Sequence, residues 1–418
     1  MFICRVVRVA EIKNKMKKSQ PLIFKIALAV ITVVLLGALF YFRAIQNYIH
    51  QDYTNSNFFF FWLSGYMIRV GQNPYDQTQW LAGHAAFGAT WIPNKIFPYP
   101  LPLAFLMVPL GLLPLGQAYI VWQLISQIGM AITVYILLQH WQEQPQKMIF
   151  LPLTIFLLFF GPVFLTLQVG SVGVVALGAV FLSIIFLERE RPFLAGFVLA
   201  LTILKPPQGI TILALAGIWF LARRDWKAVL GVATGGIFLL LLGIVRDPLW
   251  LIKFRGASEA VLDRTLGIHS NIYSFSYLAC NQNLSCMWIF GTIGTLFVLG
   301  LGGMYLWRRK DQLPPWEAFN IIIPLGFVST IYLWSYDQLL YVIPITWITA
   351  TLIERTKSYI PTFIFLIVLD LFSFATLLIQ ANTHKDLLSI VTTVLTLGMC
   401  LFLMHWKPQQ SKQTLPAS

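Results

Sequence analysis

The chain has 418 residues and a mass of 47.5 kDa; 58% of the residues are hydrophobic, 15% aromatic and only 11% charged, with mean hydropathy +0.74 and formal net charge +13. Soluble globular domains carry about 25% charged residues because their surfaces face water, so this composition excludes an ordinary soluble protein. The basic residues lie between apolar runs and form no aromatic-interleaved groove, which argues against nucleic acid and for the loop asymmetry of a multi-pass membrane protein.

Arg5, Arg8, Lys13, Lys15, Lys17 and Lys18 precede an apolar run over 22–42 that is too long for a signal h-region and is followed by no small-residue cleavage site. It reads as an uncleaved first span behind a cytoplasmic tail, residues 1–21. Further apolar runs fall at 118–139, 149–166, 172–187, 193–204, 208–222, 228–245, 287–306, 317–334, 338–353, 359–380 and 387–405, with basic clusters at Lys147, Arg189/Arg191, Arg223/Arg224/Lys227, Arg308/Arg309/Lys310, Arg355/Lys357 and Lys407/Lys412. Placing those clusters in the cytoplasm gives about twelve transmembrane helices. The expected fold is therefore all-α: one transmembrane domain over 22–406, external loops at about 43–117 and 246–286, and a cytoplasmic tail over 407–418. The stretch 97–113 holds Pro98, Pro100, Pro102 and Pro109, which break a regular helix, so it dips into the membrane rather than crossing.

The first long loop carries Asp52, about ten residues after the first span ends and just before an aromatic stretch. The aromatic run Phe58 to Trp62 follows, with Tyr66, Met67 and Ile68 beyond it. Such density suits an interfacial helix in the headgroup layer or, equally, plain packing. Asp76, in Asn73-Pro74-Tyr75-Asp76, reads as turn chemistry.

Four consecutive short runs follow, and the third, 193–204, ends at Lys205-Pro206-Pro207. About twelve residues at about 1.5 Å each cover roughly 18 Å of a core about 30 Å thick. Lys205 and the turn Gly170-Ser171-Val172-Gly173 should then lie below the outer lipid face, lining an outward-opening cavity, since irregular backbone at depth needs protein or water around it. A lysine there needs an anionic partner, for which a lipid phosphate is natural, unless it snorkels to the interface unaided.

In the second long loop, Cys280 and Cys286 are close enough for a disulfide in an oxidising compartment. No cysteine or histidine pattern has metal-ligand spacing, so no metal is expected. Asp337 sits in the minimal turn Ser335-Tyr336-Asp337-Gln338, held at the membrane face, and Asp370 within the eleventh span reads as a helix-packing residue.

The order of these features resembles the polyprenol-phosphate-mannose-dependent mannosyltransferase-like proteins of glycosyltransferase family 87, which have the multi-span GT-C architecture. The residues that carry the resemblance are Asp52-Tyr53, Gly65 through Gly71-Gln72-Asn73-Pro74-Tyr75-Asp76, Phe97-Pro98-Tyr99-Pro100-Leu101-Pro102 and Pro109 to Pro114. Ala195-Gly196 leading into Lys205-Pro206, Arg223-Arg224-Asp225-Trp226, Asn271 with Ser274, and Tyr336-Asp337 complete the set. The chain departs from the family pattern at Leu167-Gln168-Val169-Gly170, where Gly-Gln-x-Asn is usual, and at Tyr99-Pro100-Leu101-Pro102, where Tyr-Pro-Pro is usual.

The resemblance implies an inverting transfer of a sugar, mannose by family, from a polyprenyl-phosphate donor to an acceptor hydroxyl at the external face, with Asp52 as general base and no cofactor. The departing phosphate needs cations; the candidates are Lys205, Lys253, Arg255, Arg264 and His269. Asn55, Tyr99, Asn271 and Asp337 are candidates for sugar or acceptor contacts. Expected partners are the lipid-linked donor, a lipid, glycan or protein acceptor, and membrane lipids, in a bacterial plasma membrane. The competing class is a secondary transporter or lipid flippase, but such proteins show internal repeats, and the truncated span before Lys205 has no counterpart after Arg246.

Overall fold

The computed structural model describes residues 22–50, 52–140 and 148–406, and the described residues are helical with no strand. The tails at 1–21 and 407–418, Lys147 and Cys4 lie outside the described residues. Two compact units divide the chain, residues 1–50 and 51–418. The first contributes α1 (Leu22–His50), a single 29-residue helix.

The second unit begins with the aromatic-rich loop. Here α2 (Asn57–Arg69), α3 (Gln77–Ala86) and the short α4 (Leu101–Leu106) form a compact cap. Phe58, Phe59, Phe60, Phe61 and Trp62 are between 0% and 3% exposed, so α2 is a core helix of the cap and not one that lays its rings among lipid headgroups. Its rings meet protein on all sides: Phe59 against His84 at 5.2 Å, Trp62 against Phe87 at 4.8 Å, Phe61 against Tyr99 at 4.9 Å. Asp76 caps α3 by accepting the Gln79 N–H at 2.9 Å, the turn role its sequence setting suggests. The proline-rich stretch 97–113 holds only α4 and a 3-10 turn at Leu110–Leu112, packed on α2 with no crossing helix.

The bundle follows, its legs running alternately between two ends. These are α5 (Leu115–Gln139), the pair α6 (Phe150–Phe159) and α7 (Gly161–Val169), α8 (Gly173–Glu188), α9 (Pro192–Leu199), α10 (Pro206–Ala222) and α11 (Trp226–Arg246). After the loop helices α12 (Trp250–Thr265) and α13 (Ile272–Ala279) come α14 (Leu284–Arg308), α15 (Pro315–Ser329), α16 (Val342–Thr356), α17 (Ile360–Thr383) and α18 (Ile390–His405). Among the described residues, five helices are long and apolar enough to cross a membrane by length and composition, or six if the bent pair counts as one. The chain is an all-α polytopic membrane protein.

The run expected as one span over 149–166 is broken. α6 and α7 meet at 62°, at Phe160. Pro162 has no N–H to continue the helical ladder and its ring crowds the preceding turn, so the helix restarts at Gly161. Elsewhere small residues allow close packing: Gly196 on α9 lies against the Ala228 carbonyl of α11, and Gly231 against the Phe193 carbonyl, the small-xxx-small device of membrane helices.

The ends differ in chemistry. Asn73 donates to Asp247 at 2.8 Å and the Arg264 guanidinium donates to the Pro93 carbonyl, so the two long loops meet at one end. The opposite end gathers the basic clusters, where Arg223 reaches the Lys310 carbonyl, Arg309 meets His405 at 3.0 Å, and Arg355 donates to the carbonyls of Leu403 and Trp406. Cys280 and Cys286 form a disulfide at the loop end, with a Cα–Cα separation of 5.8 Å.

Candidate active site

Lys205 is placed by the shortness of the leg that precedes it. α9 continues as a 3-10 turn, Ala200–Leu204, and Pro206 and Pro207 begin α10 directly after Lys205. Eight α-helical and five 3-10 residues rise about 22 Å, short of a hydrocarbon core about 30 Å thick.

Lys205 is 5% exposed, and its ammonium is held by protein groups. It forms an ion pair with Asp337 Oδ1, donates to Ser171 Oγ at 3.1 Å, and sits over the Tyr336 ring at 5.1 Å from the centroid. The anion expected beside Lys205 is thus supplied by the chain itself, and Lys205 does not snorkel. Ser171 follows Gly170, whose φ of +65° closes α7 with the left-handed residue that lets Ser171 N–H bond back to the Thr166 carbonyl at 3.0 Å. Asp337 is completely buried, and its Oδ2 accepts the Trp334 N–H at 3.0 Å. It serves as counterion to Lys205 and as a local cap, not as an open ligand for a sugar.

A ring of aromatic groups closes round this pair. Tyr99, Tyr332 and Tyr336 all lie close enough to Asp337 to feel its charge. Trp334 donates to the Tyr332 hydroxyl at 2.7 Å, and His269 is wedged between Tyr332 and Trp334, with centroids at 4.3 and 4.8 Å. Burial pushes the His269 imidazole down to about 3. It is neutral near pH 7 and does not offer the positive charge expected of it. Asp386 joins from the loop after α17: its Oδ2 accepts the Ser335 N–H, its own N–H donates to the Ile268 carbonyl at 2.8 Å, and burial pushes its carboxyl up to about 7. Asn271, also buried, caps α13 by accepting the Ser274 N–H at 2.9 Å.

The remaining cations of the second loop are held elsewhere. Lys253 pairs with Asp247 at 2.6 Å. Burial acts to raise the Asp247 carboxyl, but bonds from Lys253, Asn73 and the Leu249 N–H outweigh it, so the group lies below its ordinary range. Arg255 pairs with Glu259 at 2.8 Å on an exposed face of α12. The Arg264 fork is spent on the Pro93 carbonyl, Asn94 Oδ1 at 2.6 Å and the Ala260 carbonyl at 2.9 Å, which makes it a clamp on loop 89–96.

Asp52 is exposed, in contrast to Lys205. Its Oδ1 accepts from the Thr54 N–H at 3.0 Å and the Thr54 hydroxyl at 2.6 Å, and its Oδ2 accepts from Asn55 Nδ2 at 2.7 Å. It lies at the same end of the bundle as Lys205. Tyr53 packs on Tyr119 at 6.3 Å, the Tyr119 hydroxyl donates to the Gln168 carbonyl at 3.2 Å, and the Phe58 side chain of α2 lies directly on Gly170, beside the serine that holds Lys205. The loop bearing Asp52 and the turn bearing Lys205 are thus joined through one layer of side chains.

The family model of glycosyltransferase family 87 matches residues 97–330, more than half of the chain. The chain belongs to glycosyltransferase family 87. No curated protein and no solved structure is significantly similar to it. The matched region of this family 87 glycosyltransferase contains Tyr99, Ser171, Lys205, His269 and Asn271, while Asp52, Asn55 and Asp337 fall on either side of it. The all-helical fold is consistent with the GT-C architecture, and the chain is a membrane glycosyltransferase.

Two residues of this candidate site escaped the sequence reading in their roles. Ser171 stood in the turn already singled out, but a lone serine gives no sign of what its hydroxyl accepts. Trp91, whose N–H holds Asn55 at 3.1 Å, lies in an irregular loop with no periodic signal.

Proposed function

We propose that this glycosyltransferase moves mannose from a polyprenyl-phosphate donor to an acceptor hydroxyl at the face that carries the long loops, and that this face is external. The orientation rests on two features at opposite ends: the basic clusters gathered at one, and the Cys280–Cys286 bridge at the other. The observation that carries the reading is an exposed carboxylate, Asp52, at the same end of the bundle as a sunken ammonium, Lys205.

In this reaction the acceptor oxygen bonds to the anomeric carbon as its proton passes to Asp52. The bond from that carbon to the phosphate oxygen breaks on the opposite side, so polyprenyl phosphate leaves and the centre inverts. A lysine ammonium has three donors, and Asp337 and Ser171 take two of those of Lys205. The third is assigned to a phosphate oxygen, where a positive charge lowers the barrier as negative charge develops. Tyr99, which lies near the same Asp337, is assigned to a sugar contact.

The test uses the protein reconstituted in liposomes with radiolabelled polyprenyl-phosphate mannose and membrane extract as acceptor. Asp52→Asn is expected to abolish label transfer while leaving expression and donor binding intact. Substantial transfer by that variant removes Asp52 as base, and lipid translocation without transfer by the wild type would falsify the enzymatic reading.

A further inference from the structure

Asn55 lies exposed at the end of the 3-10 turn Tyr53–Asn55, and its amide works in two directions at once. Nδ2 donates to Asp52 Oδ2 at 2.7 Å, while Oδ1 accepts the Trp91 backbone N–H at 3.1 Å, with the Thr90 hydroxyl at 3.4 Å. The Trp91 N–H fixes which way round the amide lies. A backbone N–H can be accepted by the amide oxygen and not by its NH2, so Nδ2 has to face the carboxylate.

The Trp91 backbone is itself held. Its ring packs on Phe60 at 5.2 Å, Trp80 Nε1 donates to the Asn94 carbonyl at 3.1 Å, and Arg264 clamps Pro93 and Asn94. Three separate parts of the chain, α2, α3 and α12, therefore determine where one amide points. At Asp52, the two bonds from Thr54 occupy Oδ1, and Oδ2 receives the Asn55 amide. The oxygen with room to take a proton is the one that Asn55 aims. An aspartate carboxylate rotates in a broad, shallow well about its last torsion; Thr54 holds the Oδ1 side, and the Asn55 bond is the second point that narrows the direction of Oδ2.

We infer that Asn55 is a positioning residue for Asp52, set by the backbone of loop 89–96, rather than a ligand of the sugar. The inference rests on the reading of Asp52 as the general base. Asn55→Ala removes both bonds. Asn55→Asp keeps an acceptor for the Trp91 N–H but sets a second carboxylate against Asp52 in place of the donor, a charge that Asn55→Ala does not add; residue 55 is exposed.

The experiment measures kcat and donor KM for polyprenyl-phosphate mannose with the full-length protein in liposomes, for both Asn55 variants, for Asp52→Asn and for the double variant Asp52→Asn/Asn55→Asp. Both Asn55 variants are expected to lose about tenfold or more in kcat with donor KM unchanged, as displacement of a reacting group does. The double variant is expected to be no worse than Asp52→Asn alone. Wild-type kcat in Asn55→Asp would show that Asn55 only anchors the loop, and a rise in KM with kcat intact would make it a donor ligand; either overturns the inference. An active Asp52→Asn overturns the base assignment itself, so the two failures are distinguishable.

Discussion

Separating Lys205 from Asp337 is the most informative perturbation of the buried core of the site. The side chains are 6% and 0% exposed, so water offers little compensation when one charge loses its partner. In Asp337→Asn the ammonium keeps Ser171 and the face of Tyr336 but no counterion; in Lys205→Met the carboxylate keeps only the Trp334 N–H. Breaking a buried pair from one side costs about 3–5 kcal/mol, whereas replacing both members by neutral groups is often close to neutral. SDS-induced unfolding in mixed micelles should therefore show a loss of about 3–5 kcal/mol for each single variant and recovery of most of it in Lys205→Met/Asp337→Asn. Sugar transfer should stay low in the double variant, because the cation assigned to the phosphate is gone while the fold is restored. Single variants as stable as the wild type would mean that the charges are not buried together. A stable double variant with full activity would mean that Lys205 has no part in the reaction.

Closing the short loop between Cys280 and Cys286 should stabilise the loop end by about 2 kcal/mol on the chain-entropy account; Cys280→Ser/Cys286→Ser is expected to lose that amount in the same unfolding assay, and free thiols detected at both positions without reductant would refute the bridge. Gly170→Ala places a Cβ 2.6 Å from the Phe58 Cβ at a φ of +65°, so it should destabilise the turn and lower donor affinity by moving Ser171; unchanged stability and binding would contradict this. Asp386, with its carboxyl pushed up to about 7, holds a proton in the folded state that the unfolded chain releases above about pH 4. Stability should therefore fall as pH rises from about 4 to about 7 and then level off. Asp386→Asn should flatten that profile, and an equally steep profile in the variant would assign the dependence to another group.

Much of the helix pattern was legible because apolar run length answers to bilayer thickness, and the runs found in the sequence coincide with bundle legs. The truncated leg ending at Lys205 could be read from residue count alone, and a turn at Gly170-Ser171-Val172-Gly173 from the glycines there, while its left-handed conformation at Gly170 came only with the structure. The aromatic run of α2 could not be resolved between lipid and protein, since headgroups and a packed core select the same side chains; only its burial beneath α3 and α4 decides it. The break at Phe160 was signalled by Gly161-Pro162, yet the continuous apolarity on either side hid it. Pairings were the least legible layer. Nothing local joins Lys205 to Asp337, Arg264 to Pro93, or Asn55 to Trp91, because each contact is made by the way distant segments converge. The cations of the second loop accordingly looked available for a phosphate in one dimension, while in three they are met by Asp247, Glu259 and the backbone of loop 89–96.

The account turns on where a lipid-linked donor sits. A structure of the Asp52→Asn protein with polyprenyl-phosphate mannose in a nanodisc should show a phosphate oxygen within hydrogen-bond reach of Lys205 Nζ and the anomeric carbon facing residue 52. A donor phosphate bound at the end of the bundle that carries Arg223, Arg309 and Arg355, or a sugar turned away from residue 52, would contradict it.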